Sequence, residues 1–436
     1  MSAAGTDVRT ATARVLARCD ELAALSASPD GIERVYLSPE HAAANALAAG
    51  WMAAAGLRTR QDAAGNLCGR LEGREPGLPA LLLASHLDTV PDAGRYDGIL
   101  GVVLAVEVAA RLRGRAAELP FALEVVAFAD EEGTRFGTAL LGSRALAGTW
   151  DEAWWSLTDA RGTTLAEAFA AFGLDPARVG EAARDPRDVV GYLEAHIEQG
   201  PLLEDADRAL GVVTSIAGAR RFSCTVTGEA RHAGGTPYER RRDALCAASE
   251  VVLLVERTAR ESGVIATVGR SQAFPGAVNV VPGRVELSLD LRAEHDGDRD
   301  GAWERIRAQA ERLCAARGCG FAAEEHHSAP GVVCAPRLQE AVRRGIAATG
   351  DAEPPALYSR AGHDAMAVAS LTDVGMLFVR CAGGISHAPE ESVEPADVAL
   401  ALDALTAAVL DLAGGDLVGG DLVGGSAEVP AGIPAR

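Results

Sequence analysis

Three histidines and a group of carboxylates could hold divalent metal ions: His86, Asp97, Glu131, Glu132, His196 and His387. Imidazole nitrogens and carboxylate oxygens together form a mixed ligand set that suits Zn²⁺, Mn²⁺ and similar ions. A pair of such ions needs one carboxylate to bridge it and places a further carboxylate free to act as a base. The adjacent residues Glu131 and Glu132 allow that division, with one side chain on metal and its neighbour on water.

Each of these residues also has a simpler interpretation. A single histidine after a strand is most often a hydrogen-bonded structural residue, and a Glu–Glu pair is usually a solvated turn. The ligand interpretation is favoured because four such clusters follow predicted strands of one domain, in the stretches HLDT, DEEG, HIEQG and GISH.

The elements that must position these clusters are predicted from apolar runs. Residues 81–84 and 123–129 indicate buried parallel strands, and residues 99–112 between them have helical periodicity. In open α/β sheets, sites form at the carboxyl ends of the strands. We therefore expect the polar residues after the two strands, HLDT and DEEG, to face one crevice.

A second region has a different pattern and predicts an inserted domain. It combines alternating β segments, at residues 221–227 and 285–291, with helical stretches at 242–262 and 302–317. We expect an α/β protein whose catalytic domain has a mixed, largely parallel sheet flanked by helices. A smaller α+β domain for lid closure and dimerisation would be inserted into it.

The predicted catalytic domain is discontinuous, with residues 1–211 and 329–412, and the inserted domain covers residues 212–328. Residues 413–436 are rich in Gly and contain the tandem sequence GDLVG. They are expected to be disordered and to carry no chemistry.

Charge excludes several classes of function. The 436-residue chain has a net charge of −20, and all 41 basic residues are arginine. An acidic surface repels phosphate backbones and anionic lipids, so we expect neither nucleic-acid nor membrane partners. The absence of lysine excludes a Schiff-base lysine and a P-loop lysine.

The compartment is predicted from apolar runs and cysteines. No stretch approaches the 18 or so apolar residues that a membrane span needs, and the N-terminal region lacks the apolar segment of a signal peptide. Eight scattered cysteines without a CxxC pair are expected to be free core thiols of a cytoplasmic protein.

Six motifs in order resemble the amidase, hydantoinase/carbamoylase family: SHLDTVPDAGRYDGILGV, ADEEGTRFGTALLGS, AHIEQGPLLE, VTGEARHAGGTPYERRRDA, RAGHDAM and GGISHAPEES. That family includes N-carbamoyl-L-amino-acid hydrolases, allantoate amidohydrolases and β-ureidopropionase-like enzymes. It is related to the aminoacylase and carboxypeptidase group of dinuclear metallopeptidases. The likeness runs from about residue 10 to about residue 410. HIEQGP, GHDA and GGISH are typical of the ureido-hydrolysing branch, whereas HLDT and EEG are shared more widely.

The resemblance implies two divalent ions per subunit, zinc or manganese, cobalt or nickel. One ion would be held by His86, Asp97 and His196, and the other by Asp97, Glu132 and His387, with Asp97 as the bridge. Glu131 would be the general base. Asp88 would orient the imidazole of His86, as metal-bound histidines usually require; the alternative is a turn-capping aspartate.

The resemblance also implies a set of substrate-binding groups. Gln199 would donate to the ureido group, and His232 would be a lid histidine that stabilises the oxyanion. Asn279 and Arg292 would hold the substrate carboxylate, because an arginine fork binds carboxylate bidentately. Gly362 of the GHDA motif belongs to the same set. In family members some lid groups serve the neighbouring subunit, which implies a homodimer through the inserted domain.

Outside the motifs these groups have ordinary interpretations. Arg292 could be a surface arginine, Asn279 a turn residue and Gln199 a solvated loop residue. His363 is expected near the site without being a ligand, and the pair His326–His327 in a polar strand or loop of the lid. The two remaining histidines, His41 and His295, are expected at the surface.

Two departures from the family pattern concern specificity. The chain has HAGGTPY where the family commonly has HAGTTPM, and SRAGHDA where it commonly has SGAGHDA. The second change places Arg360 beside the substrate loop. Its side chain either tunes the pocket towards a more anionic or larger substrate or points to solvent.

The predicted function is hydrolysis of C–N bonds other than peptide bonds. A dinuclear metal amidohydrolase would cleave the carbamoyl or ureido bond of a small anion, releasing ammonia and carbon dioxide. An N-carbamoyl-L-amino acid and allantoate are both candidate substrates, and these residues do not separate them. The alternatives are a metallo-dipeptidase or aminoacylase and a non-catalytic binding homologue.

Overall fold

The computed structural model describes residues 3–414. The helices are α1 (Ala3–Ala23), α2 (Pro39–Ala54), α3 (Ile99–Leu112), α4 (Leu141–Leu146), α5 (Leu165–Phe172), α6 (Leu202–Asp205), α7 (Ala244–Ser262), α8 (Asp296–Ala316), α9 (Pro336–Ala348), α10 (Ala365–Val368) and α11 (Pro395–Gly414).

The strands are β1 (Arg58–Gln61), β2 (Leu67–Leu71), β3 (Ala80–His86), β4 (Ala122–Phe128), β5 (Val189–Ile197), β6 (Leu210–Ile216), β7 (Gly218–Thr227), β8 (Arg231–His232), β9 (Ile265–Thr267), β10 (Ser271–Phe274), β11 (Val280–Val281), β12 (Arg284–Ala293), β13 (Gly320–Ala329), β14 (Val332–Val333), β15 (Ala356–Ser359) and β16 (Val374–Val379).

The chain divides into two compact units. Within the described residues, unit 1 comprises 3–214, 334–357 and 363–414, and unit 2 comprises 215–333 and 358–362. The second unit thus begins and ends a few residues later than the inserted domain proposed from the sequence. It also takes up a five-residue segment, 358–362, that the sequence interpretation placed in the catalytic domain.

Unit 1 is built on a mixed sheet with strand order β1-β2-β4-β3-β5-β16-β6. The four central strands β4, β3, β5 and β16 run parallel, and their neighbours on both sides run antiparallel. Every residue of β3 and β4 is buried, as expected for parallel strands covered on both faces. The predicted mixed sheet with flanking helices is confirmed.

Helix α3 shows how the sheet is covered. It is apolar around most of its circumference because it packs on β3 and β5 and is itself covered by α1 and α11. Its buried carboxylate, Glu107, is paired with Arg14 and Arg18 of α1, since a buried charge needs a partner. The loop that precedes α3 carries Asp97, so this packing positions that carboxylate.

Unit 2 contains an antiparallel sheet with strand order β10-β12-β7-β13, to which β9 is added beside β12. Alternate residues of β12 are buried, because one face of the sheet packs against α7 and α8. Phe222 of β7 stacks on Trp303 of α8 with ring centroids 3.8 Å apart. A separate two-stranded ladder joins β8 to β11.

Helix α11 extends the fold to Gly414, beyond residue 412, where the sequence interpretation ended the catalytic domain. Most of the tail expected to be disordered, residues 415–436, lies outside the described residues. Among the helices of residues 3–414, none combines the length and apolar character that a membrane-spanning helix requires. All eight cysteines are free thiols, and Cys246 is exposed rather than part of a core.

Candidate metal centre

The candidate ligands of unit 1 lie where its central strands end. His86 is the last residue of β3, His196 is the last but one of β5, and Glu132 and His387 follow β4 and β16. Asp97 lies two residues before α3. Because these strands are parallel, their carboxyl ends meet at one edge of the sheet and the side chains converge there.

Asp97 lies between two histidines and offers one oxygen to each. Its Oδ1 is 3.3 Å from Nε2 of His196, and its Oδ2 is 2.9 Å from Nε2 of His387. Nε2 of His387 is also 3.3 Å from Oε1 of Glu132. The donor atoms of two triads that share Asp97 each lie within 4.8 Å of one another: His86, Asp97 and His196, and Asp97, Glu132 and His387.

Backbone carbonyls assign the tautomers of two of these histidines. Nδ1 of His86 lies 3.1 Å from the carbonyl oxygen of Asp88, and Nδ1 of His196 lies 2.9 Å from that of Ile197. Because a carbonyl oxygen only accepts, each Nδ1 carries a proton, and in the neutral imidazole Nε2 is then the nitrogen with the lone pair that a metal ion would bind.

The orphaned nitrogen of His196 is the observation that tests the fit of a metal. Its Nε2 is buried and, although Oδ1 of Asp97 lies 3.3 Å away, it makes no hydrogen bond among the described residues. A buried polar atom of this kind normally has a partner. A divalent ion would complete the arrangement of this nitrogen beside Asp97 and His86, so the residues fit such an ion.

Asp88 connects the HLDT segment after β3 to the DEEG segment after β4. Its Oδ1 accepts a 2.9 Å hydrogen bond from the backbone N–H of Glu131, and its Oδ2 accepts one of 3.0 Å from that of Glu132. Nδ1 of His86 is 3.5 Å from the same carboxylate. Burial acts to raise the pKa of Asp88, but His86 and the two backbone donors outweigh it and lower the pKa. The carboxylate both caps the DEEG turn and lies beside His86.

Burial is also the largest influence on the pKa values of the other acidic groups of the site. It raises the pKa of Glu131 well above the usual value, and it raises the pKa of Glu132. For Asp97 burial acts in the same direction, but the hydrogen bond from His387 and the nearby imidazoles reverse it and lower the pKa. The carboxylates of Glu131 and Glu132 are thus in a different electrostatic environment from that of Asp97.

The side chain of Gln199 lies among the candidate ligands rather than in solvent. Its Nε2 donates to Oδ1 of Asp97 at 3.0 Å and lies 3.2 Å from both Oγ of Ser386 and Nε2 of His387.

Gln199 and His387 have φ angles of 57° and 55°, and Asp130 has one of 64°. Left-handed conformations of non-glycine residues are costly and are concentrated at functional loops.

The sequence interpretation missed Glu391 and Glu194 but placed His363 correctly near the site. Glu391 accepts hydrogen bonds from the backbone beside Asp97, and the only signal was its place in GGISHAPEES. Glu194 is buried and accepts from Ser85 and Tyr192. His363, expected near the site, packs edge-on against His196 with ring centroids 4.5 Å apart.

Four proposed substrate groups lie in unit 2. His232 is paired with Val280 in the β8–β11 ladder, and the carbonyl of Asn279 accepts from the N–H of Ala233. This ladder brings His232 and Asn279 together, and both are exposed. Nδ1 of His232 accepts a 3.0 Å bond from Gly235, which leaves the proton on Nε2.

Arg292 is tied to its surroundings. Its Nε and Nη2 donate to Asp290 at 2.7 and 3.2 Å, and its Nη1 donates to the carbonyl of Arg360 at 2.9 Å. The Arg360 side chain is exposed, with its guanidinium carbon 5.5 Å from the Tyr358 ring centroid. Gly362 ends the same short segment of unit 2.

Of the four remaining histidines, one prediction was wrong and three lie where they were expected. His41 is buried, not at the surface, because α2 turns it inward, where Nδ1 accepts from the N–H of Leu37 and the ring stacks on Phe172. His295 is exposed, and His326 and His327 lie in strand β13.

The profile of the peptidase family M20/M25/M40 matches residues 82–411, which include all five candidate ligands. The chain belongs to this family. The M20 family is metal-dependent, and the side-chain groups described above are its candidate ligands in this chain.

Two relatives with similar sequences are named as an N-carbamoyl-L-amino acid amidohydrolase and a probable allantoate deiminase. The N-carbamoyl-L-amino acid amidohydrolase of Geobacillus stearothermophilus is 40% identical over 405 residues, with 92% of this chain and 98% of that protein covered. A probable allantoate deiminase of Oryza sativa subsp. japonica is also 40% identical, over 414 residues, with coverages of 87% and 84%.

A crystal structure from Burkholderia multivorans is similar over nearly the whole chain. This amidase of the hydantoinase/carbamoylase family has a TM-score of 0.85 and 34% identity, with 92% of this chain and 98% of that chain covered. Together with the M20 relatives it confirms the resemblance to the hydantoinase/carbamoylase amidases that the six motifs indicated.

Proposed function

We propose that the protein is a metal-dependent amidohydrolase that cleaves the carbamoyl or ureido C–N bond of an N-carbamoyl-L-amino acid or an allantoate-like anion. The observation that carries this proposal is the position of Asp97, whose two oxygens face different histidines, each in its own donor triad. The names of the M20 relatives give the substrate class.

Two divalent ions per subunit, zinc or manganese, cobalt or nickel, are proposed as the cofactor. His86, Asp97 and His196 would hold one, and Asp97, Glu132 and His387 the other. When bound, such ions polarise a carbonyl group and lower the pKa of water. The lone pair of His196 and the shared carboxylate support this assignment.

Glu131 is the proposed base and acid. It accepts a proton from the attacking water and delivers it to the leaving nitrogen as the C–N bond breaks. The carbamate released from the ureido nitrogen then decomposes to ammonia and carbon dioxide. The backbone hydrogen bond from Glu131 to Asp88 supports this role because it holds the DEEG turn in place.

The groups of unit 2, together with Gln199, are proposed to bind the substrate. His232 presents a protonated Nε2, so it is a neutral donor for the developing oxyanion. Asn279, Arg292 and Gly362 would hold the carboxylate. Because Asp290 already occupies one edge of the Arg292 guanidinium, the substrate would take the remaining N–H groups.

A homodimer through residues 212–328 is also proposed. Strand β13 is ten residues long and pairs with β7 on one side only, which makes it the edge of the unit 2 sheet within the described chain. A long exposed edge strand favours pairing with a second copy.

The free thiols support a cytoplasmic location.

Ammonia release from a substrate panel tests the proposed function. Metal-reconstituted protein would be given allantoate, N-carbamoyl-L-amino acids with their D-enantiomers, and N-carbamoyl-β-alanine, with a chelated control. We expect chelator-sensitive turnover of one ureido class. No release from any of them by metal-loaded protein, with cleavage of dipeptides or N-acyl amino acids instead, would contradict the proposal.

Allantoate remains a specific second candidate. It is supported by the Oryza sativa relative, which is as similar in sequence as the carbamoyl amino acid hydrolase. Faster turnover of allantoate than of every N-carbamoyl-L-amino acid in the panel would select it.

A further inference from the structure

One carboxylate that is not among the proposed ligands connects two of the loops that carry them. Glu391 lies four residues after His387 and is 2% exposed. Its Oε1 accepts hydrogen bonds from the backbone N–H groups of Tyr96, at 2.7 Å, and Asp97, at 3.2 Å. Its Oε2 accepts from Oγ of Ser386 at 2.8 Å.

These contacts belong to a closed hydrogen-bonded ring. Oγ of Ser386 also accepts from Nε2 of Gln199 at 3.2 Å, and the same Nε2 donates to Oδ1 of Asp97 at 3.0 Å. Asp97 is therefore held twice, through its backbone by Glu391 and through its side chain by Gln199. The ring joins loops that follow β3, β5 and β16.

The chain leaves room for this carboxylate at Gly94. A Cβ atom at that position would lie 2.2 Å from the carboxyl carbon of Glu391, so no other residue type fits beside it without displacing the carboxylate. Both oxygens of Glu391 are occupied by donors. These hydrogen bonds suit a side chain that holds a loop in place, and they leave neither oxygen available to bind a metal ion.

We infer that Glu391 is a positioning residue that fixes Asp97 relative to His387 and thereby sets the affinity of the site for divalent ions. A bridging carboxylate must present both oxygens at fixed positions, and groups that orient ligands commonly change affinity when they are lost. This inference rests on the proposed function, because it assumes that Asp97 and His387 are ligands.

Competition with a chromophoric zinc chelator tests the inference on the full chain. We compare wild type, E391A, E391Q and E390A, since Glu390 is the exposed neighbour and serves as the matched control. E391A is expected to bind zinc about 10- to 100-fold more weakly. E391Q should recover most of the affinity because its amide oxygen still accepts from Tyr96 and Asp97. E390A should match wild type.

The outcomes separate this inference from the proposed function. Wild type that binds no zinc would overturn both. Wild type and E391A with equal zinc affinity would overturn the inference alone, as would E391Q that binds no better than E391A while both melt like wild type without metal. If E391A does not fold, S386A provides the test, with an expected loss of about tenfold and wild-type affinity as the contradicting result.

Discussion

The backbone N–H of Glu131 donates a 2.9 Å hydrogen bond to Oδ1 of Asp88. The proposed base is therefore anchored by a residue that lies two positions after His86, in the loop of the neighbouring strand. Oδ2 of the same carboxylate accepts from the backbone N–H of Glu132. The single side chain of Asp88 therefore holds the proposed base and one proposed ligand, Glu132, at a fixed position relative to His86.

Replacing Asp88 with asparagine should loosen this anchor. An amide group offers one acceptor, and its NH₂ would face a backbone N–H of the DEEG turn. D88N is expected to lower zinc affinity about 10- to 100-fold and to destabilise the fold by about 1–3 kcal/mol. Chelator competition and urea unfolding measure the two effects. D92N, at an exposed aspartate, is the control, and equal behaviour of both variants would contradict the role of Asp88.

Gly98 should be essential to the metal site for a steric reason. It has a φ of 69°, and a Cβ there would lie 2.3 Å from Nε2 of His86, the nitrogen proposed to bind the metal ion. G98A is expected to weaken zinc binding more than tenfold, a loss of at least about 1.4 kcal/mol. G162A is matched in backbone strain, with φ of 81° and open space around the position. If G162A weakened zinc binding as much as G98A, strain rather than steric blocking would be the cause.

Much of the fold follows from patterns that are local in the chain. The apolar runs at 81–84 and 123–129 lie in β3 and β4, and the helical periodicity of 99–112 corresponds to α3. Parallel pairing of β3 with β4 then brings HLDT and DEEG to one edge. The candidate site residues that directly follow strands could be predicted, because the apolar runs locate the strands and their parallel direction places the strand ends at one edge of the sheet.

The hydrogen bonds that hold the site could not be found in this way. Glu391 and Tyr96 are 295 positions apart, and no local pattern encodes which loop a carboxylate will reach. Burial of His41 was missed for another reason. Helix α2 is so rich in alanine that it has no distinct polar face from which to infer the inward side.

His41 should make the fold less stable in mild acid. Burial lowers the pKa of His41 to about 4, below the ordinary value near 6.5 of an unfolded chain. The unfolded state therefore binds more protons between these values, so the free energy of unfolding falls as the pH drops. This group contributes a loss of about 2 kcal/mol between about pH 7 and pH 5.

The comparison of wild type with H41N measures this contribution, because asparagine does not titrate. The free energy of unfolding of wild type should fall more steeply over this range than that of the variant. Parallel pH profiles for the two proteins would show that His41 is protonated as readily in the folded state as in the unfolded state.

Arg360 should favour substrates with a second anionic group. Its side chain is exposed beside the carbonyl that Arg292 contacts, and R360A leaves that carbonyl in place. We expect the ratio of kcat/KM for N-carbamoyl-L-aspartate over N-carbamoyl-L-alanine to fall about tenfold. R260A, on the exposed face of α7, should leave the ratio unchanged. An unchanged ratio in R360A would mean that this side chain only contacts solvent.

The most direct test of the account is the metal content and turnover of E131Q, with E390Q as the control. Glutamine keeps the shape and the backbone contact to Asp88 but does not carry a proton between water and the leaving nitrogen. E131Q is expected to hold as much zinc as wild type and to lose about 10²- to 10⁴-fold in kcat on the preferred ureido substrate. Turnover within a few-fold of wild type in zinc-loaded E131Q would contradict the assignment of Glu131 as the base.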